Sequence, residues 1–247
     1  MDRLIYTAMS GAKHIMEKQA TTSHNLANVS TTGFRAQLDS FRAIPVIGAQ
    51  LPTRSFVVDA TVGTDFRAGP IQQTGRALDV AVQGQGWIAV QLEDGTEAYT
   101  RNGSLKLSEN GVLQTQSGAS VMGDGGPIAI PPDVNISIAK DGTVTSIAAD
   151  YKPGAPIILG RIKLVNPPEE NLVRGGDGLF RLKEGGEADA DANVALLGGA
   201  VEGSNVSVVE SMVDMIALAR QFDMHMQLMK NVESNEAKAA QLLSLTG

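Results

Sequence analysis

Few residues in this chain could do chemistry, and their spacing argues against it. Gly84 to Ala89 read GQGWIA, a partial dinucleotide fingerprint. The true motif follows a strand and opens a helix. Here Trp87 is expected to open a strand instead, with a hairpin turn after it. Asp189, Asp191 and Asn193 (DADAN) begin like a calcium loop. Such a loop needs glycine at its sixth position and glutamate at its twelfth, and those positions hold Val194 and Ala200. None of the three histidines, His14, His24 and His225, has another histidine at i+3 or i+4, so their spacing does not suggest a metal site. There is no cysteine, which removes disulfides, thiolate metal sites and cysteine nucleophiles. No serine sits in a nucleophile elbow, and no spacing pairs two carboxylates. The reading is a non-enzyme with no catalytic residues, no cofactor and no metal.

The 247 residues suffice for one large domain or two modest ones. At 43% hydrophobic a core is possible, but only 4% are aromatic, thin for one tightly packed enzyme domain. Net charge is −7 and the sequence pI about 5.0. An acidic surface repels phosphate backbones and anionic headgroups, so neither nucleic acid nor a membrane surface is an expected partner. No run of about 18 apolar residues occurs, so no membrane-inserted helix is expected. The start, MDRLIYTAMSGAKHIMEKQ, lacks the pattern of a cleaved secretory signal.

Both ends read as helices. Ile5, Met9, Ala12 and Met16 are spaced four, three, four, and Gln19, Ser23 and Leu26 continue the rhythm. That is a heptad seam, apolar at first and polar later. Val208, Met212, Met215, Ala219, Phe222, Met226 and Met229 repeat it more strongly, and Ala240 and Leu243 resume it after Glu233 and Glu236. Ser207 and Glu210 have capping-box spacing at the start of this second helix. Its four methionines suit a core filled by a flexible side chain, or an adaptable surface for several neighbours.

The middle reads as antiparallel β. Leu78, Val80 and Val82 alternate with Ala77, Asp79 and Ala81, and WIAVQL follows. Asp94-Gly95, Asn102-Gly103, Asn110-Gly111, Asp124-Gly125, Asp141-Gly142 and Asp177-Gly178 then punctuate the chain. Each dipeptide favours the positive φ of tight hairpins. The fold class is α+β: terminal helices forming a coiled-coil-like domain, with an inserted antiparallel β domain. The expected division is residues 1–30 (helix), 31–75 (extended linker), 76–200 (β domain) and 201–247 (helix).

One stretch, Asn25 to Ala36 (NLANVSTTGFRA), explains neither helix nor strand. Val29, Ser30, Thr31 and Thr32 are poor helix formers in succession, so the helix should stop near Asn28. Gly33 can take the left-handed conformation that redirects a chain. Phe34 and Arg35 then follow the exit. Asn25 and Asn28 share a helix face.

These residues resemble the N-terminal signature of the flagellar rod and hook proteins: Asn-Leu-Ala-Asn, two variable positions, Thr, another variable position, Gly, an aromatic and a basic residue. Asn25, Leu26, Ala27, Asn28, Thr31, Gly33, Phe34 and Arg35 fill it. Val201 to Phe222 resembles the family's C-terminal segment, with Val201 where Leu is usual. The segment from Gly84 onward, with Trp87 where Phe is usual, resembles the β domain of the rod members, as do RIKLVNP (161–167) and DGLFR (177–181).

The resemblance implies a structural subunit of the periplasm-spanning rod of the flagellar basal body, in its proximal part or alternatively its distal part. It implies axial assembly with other rod proteins and with copies of itself, and export through the flagellum's own type III apparatus. A secreted β-domain binding protein is the alternative from another class. The candidate assembly interface is Ile5, Met9, Ala12, Met16, Asn25, Leu26, Asn28, Gly33, Phe34, Arg35, Val208, Met212, Met215, Ala219, Phe222, Met226 and Met229. The amides of Asn25 and Asn28 are expected either to bond to adjacent subunits or to cap within the chain. Both terminal helices are expected to be largely disordered in the free monomer, because their seams lack partners there.

Overall fold

In the computed structural model, residues 2–45, 55–132, 134–148 and 156–245 are described. They fold as two compact units. One gathers residues 1–29, 36–65 and 206–247; the other gathers 30–35 and 66–205.

The first unit is helical. Helix α1 spans Asp2–Ala27 and packs along helix α2, Val208–Leu245. Ser207 stands just before α2, where its Oγ accepts the Glu210 N–H at 3.4 Å. This satisfies a free donor of the first turn. The segment expected as an extended linker contains a long antiparallel hairpin, β1 (Gln37–Pro45) and β2 (Ser55–Thr64). It runs in register from Gln37↔Thr64 to Pro45↔Ser55, with one irregularity at Ser40/Phe41. The hairpin belongs to the helical unit, and Pro45 stands at its strand end, where a missing N–H costs least.

The helices keep a four–three rhythm, but its phase differs from the expected one. On α2 the covered positions are Ser211, Met215, Leu218, Phe222, His225, Met229 and Val232. Val208, Met212, Ala219 and Met226 are exposed. On α1, Ala8, Ala12, Ile15, Gln19, Thr22 and Leu26 are covered to varying degrees, whereas Met9, Met16 and Ser23 are exposed. Each helix thus shares half of its expected seam and exchanges the other half for the adjacent position. Small residues explain the choice. Interaxial distance follows the side chains at the contact, and Ala8, Gly11 and Ala12 permit a closer approach than Met9 and Met16. The side chains of Ala240 and Leu243 lie outside the described set.

The second unit is built of β strands with a 3-10 turn at Glu169–Asn171, and among the described residues every strand pair in it is antiparallel. Strands β3 (Ile71–Gln73) and β4 (Val80–Gln83) pair with Ala200–Glu202 and Ala195–Gly198, joining the unit's first and last segments. Strand β5 (Trp87–Gln91) lies between β6 (Glu97–Thr100) and Ser120–Gly123. Side chains alternate across a strand. Ile88 and Val90 therefore enter the main core with Val80, Leu105, Leu113 and Val121. Trp87 and Ala89 enter a second cluster with Tyr99, Val165, Leu172 and Phe180. Burial on both faces explains why WIAV is continuously apolar.

Four of the six turn dipeptides place their glycine at positive φ: Gly95, Gly111, Gly142 and Gly178. Gly103 serves another purpose. A Cβ there would lie 1.7 Å from the Val80 carbonyl oxygen, so glycine is required by close backbone approach. At Asp124-Gly125 the positive φ falls one residue later, on Gly126.

Candidate assembly interface

The exit of α1 divides between the two units. In the helical unit, Asn25 is bonded within the chain. Its Nδ2–H donates to the Gln37 carbonyl at 2.9 Å, and the Gln37 N–H donates to its Oδ1 at 2.9 Å. The amide thus imitates a strand residue and pins the last turn of α1 to the start of β1. Thr21 adds a bond to Asp39 at 2.9 Å. The Asn28 amide donates to the His24 carbonyl at 2.9 Å, capping its own helix. These bonds of the two asparagines are intrachain.

The following residues, 30–35, belong to the β unit. Gly33 has φ +68°, as a chain redirected by glycine requires. Its N–H donates to the Glu202 carbonyl at 2.7 Å. A Cβ at Gly33 would stand 2.3 Å from the Asn102 nitrogen and 2.4 Å from the Arg101 carbonyl carbon. Phe34 is buried, with the Arg174 guanidinium 4.5 Å over its ring. Arg35 is 1% exposed. Its Nη2 is 2.7 Å from Glu202 Oε1, and Arg101 Nη1 donates to Glu202 Oε2 at 3.1 Å.

Glu202 is the hub of this exit. Its Oε1 also accepts the Gly69 N–H at 2.9 Å. Two guanidiniums against one carboxylate leave an excess positive charge. Arg101 disperses its share onto the Gly84 carbonyl at 2.7 Å and the face of Trp87, 5.3 Å away. Burial pushes the Arg101 and Arg174 guanidiniums below the usual arginine range. Arg174 also donates to the Arg35 carbonyl at 2.8 Å.

The chain's own contacts place the candidate residues as follows. Gly33, Phe34 and Arg35 fasten the signature to the chain's own β unit. Ala12 is buried as well. Ile5, Leu26, Met215, Phe222 and Met229 are half-buried. Met9, Met16, Val208, Met212, Ala219 and Met226 remain on the surface. Sequence reasoning missed Glu202, although an acidic residue directly after apolar Ala200 and Val201 was a signal for a buried partner. It also missed Val209, Val213, Ile216, Met224 and Leu228, all more than half exposed on α2. A single-seam template assigns only one face to a helix that is apolar on several.

Two helices with unpartnered apolar faces and a self-contained β unit define an assembly protein. Residues 5–35 match the flagella basal body rod protein family, 81–146 the flagellar hook protein FlgE/F/G D1 domain, and 197–242 the flagellar basal body rod FlgEFG protein C-terminal family. The chain is 45% identical to the flagellar basal-body rod protein FlgF of Salmonella typhimurium, and 45% to that of Escherichia coli; each alignment covers 100% of both chains. It is 31% identical to the rod protein FlgG of Bacillus subtilis, over 90% of this chain and 92% of the relative. The chain belongs to the flagellar basal-body rod protein family. It is a structural protein of the flagellar basal body and not an enzyme.

Proposed function

We propose that the chain is a proximal-rod subunit that assembles axially through its terminal helices. The helices of successive subunits bundle in a coiled-coil-like manner on the inside of a tube, and the β units face outward. Its neighbours are other rod proteins and copies of itself, and it reaches them through the flagellum's own export apparatus. The division into a helical part at the two ends and a β-rich part between them serves this arrangement. The helical part bonds along the axis, and the β part thickens the wall.

One observation carries the reading. Helix α2 already packs α1 on one face, yet Val209, Met212, Val213, Ile216, Met224 and Leu228 stand at least half exposed elsewhere. Burying one such side chain is worth about 1.5–3 kcal/mol, whereas docking a rigid body costs an estimated 4–15 kcal/mol or more. A single pairing is therefore marginal. A subunit held by several neighbours at once meets that cost repeatedly shared, which favours a polymer over a dimer.

Charge on this surface tests it. Met212→Glu is expected to leave the β unit folded and remove the protein from isolated basal bodies, with loss of swimming. Normal incorporation of this variant would contradict the assignment of α2 as the assembly surface.

A further inference from the structure

A groove of about 430 Å³ opens on the helical unit, lined by His14, Ile15, Lys18, Phe41, Leu218 and His225 among others. Packed interiors leave few voids larger than a water molecule, so an apolar groove of this size between packed helices is unfinished. Its floor is set by Gly11. A Cβ there would lie 2.5 Å from His225 Cε1, so glycine makes room for the imidazole. His225 Nδ1 is shielded from solvent and has no hydrogen-bond partner. His14 is fixed at the other wall, with Nδ1 3.0 Å from Glu17 Oε2 and its ring edge-on to Phe41.

The same chain carries a matching protrusion. Val209, Met212, Val213 and Ile216 are 73%, 50%, 60% and 57% exposed. Their spacing, i, i+3, i+4, i+7, is that of a helix face that anchors in an apolar groove. Charge is complementary. Lys18 is the one side chain lining the groove that is formally charged at neutral pH. The stretch of α2 from Val208 to Ala219 contains Glu210 and Asp214 and no basic residue. At 3.6 residues per turn, this row and the groove-lining Leu218, Gln221 and His225 lie on roughly opposite faces of α2.

We infer that the groove receives the Val209–Met212–Val213–Ile216 row of a second copy of this chain. Because row and groove occupy opposite faces, the contact is heterologous. One subunit's row fills the next subunit's groove, and its own groove stays open for another. Such a contact does not close on itself in a pair and extends directionally. The inference rests on the axial reading above and gives it a polarity.

Cysteine cross-linking in the full chain tests it, since no native cysteine competes. Ser10, at the groove, and Ile216, on the row, are changed to cysteine singly and together. Cells are oxidised, and isolated basal bodies are run on a non-reducing gel. S10C/I216C is expected to give dimers and higher species, and each single variant monomers only. Dimers from a single variant, or monomers alone from the double variant, would overturn the groove pairing while leaving rod assembly intact. Wild-type chain absent from basal bodies would instead remove the axial reading. A charge exchange gives a second readout: Lys18→Glu and Asp214→Lys should each lower incorporation, and the two combined in one chain should restore it. Failure of that restoration counts against the pairing.

Discussion

The two units dispose of their side chains in opposite ways. The β unit keeps its costly groups to itself: Arg35, Arg101 and Glu202 are buried together, and Trp87, Phe180 and Phe66 form an internal aromatic cluster. The helical unit leaves valine, isoleucine, leucine and methionine in solvent along α2. Contiguous apolar exposure on a helix marks an interaction surface. On the proposed reading, the difference separates what the chain completes alone from what neighbours complete. It also predicts two classes of substitution: those in the β unit are expected to act on stability, and those on the outward faces of α2 on assembly.

The largest break in that contrast is expected from Glu202→Ala, which strands two buried guanidiniums. Removing one partner of a buried ion pair costs about 3–5 kcal/mol. Trp87, the only tryptophan and a close neighbour of Arg101, reports the transition in a denaturant titration. An unchanged midpoint would show that the cluster adds no stability. Gly33→Val follows, because a non-glycine residue held at positive φ costs about 1–3 kcal/mol and the backbone of Arg101 and Asn102 must also move. It is expected to lower the same midpoint. Retention of the wild-type midpoint would contradict the tight approach seen at Gly33.

A pH dependence sharpens the comparison further. Tyr99 is fully buried in β6, and its hydroxyl accepts the Ala188 N–H at 2.8 Å. Burial raises its phenol well above the ordinary value of 10.0. Above pH 10 the unfolded chain releases this proton while the folded chain retains it, so stability falls as pH rises. Tyr99→Phe should flatten that alkaline decline in the Trp87 transition. A decline equally steep in the variant would assign it to other groups. The smallest effect on stability is expected from Ile216→Glu, within about 0.5 kcal/mol as for other surface changes. Its thermal unfolding should match the wild type even though incorporation is lost. A large drop in melting temperature would mean that Ile216 is already packed in the free chain.

Much of the architecture was legible in local signals. Ser207 and Glu210 marked the start of α2, and the run from Val29 to Gly33 marked the end of α1, because caps and breakers act over one turn. Trp87 opened a strand because its neighbours alternate between two cores. The phase of the helical seams was not legible. A four–three rhythm fits two adjacent phases equally well when methionine and alanine fill both, and only tertiary packing of Gly11 against His225 selects one. The pairing of Gln37–Pro45 with Ser55–Thr64 was hidden in a segment that read only as an extended linker, although Pro45 stands at a strand end. The fate of Arg35 was also hidden. An arginine after a helix exit looks like a surface residue until Glu202, 167 positions later in sequence, closes over it.

The central claim is that the helical unit is finished by its neighbours and the β unit is not. Hydrogen exchange on the dilute, unassembled chain tests it most directly. Amides of α2 should exchange far faster than those of β5 and β6, and should gain protection when the chain is in the rod, as local stability follows buried apolar contact. Protection of α2 in the free chain equal to that of β5 would contradict the account.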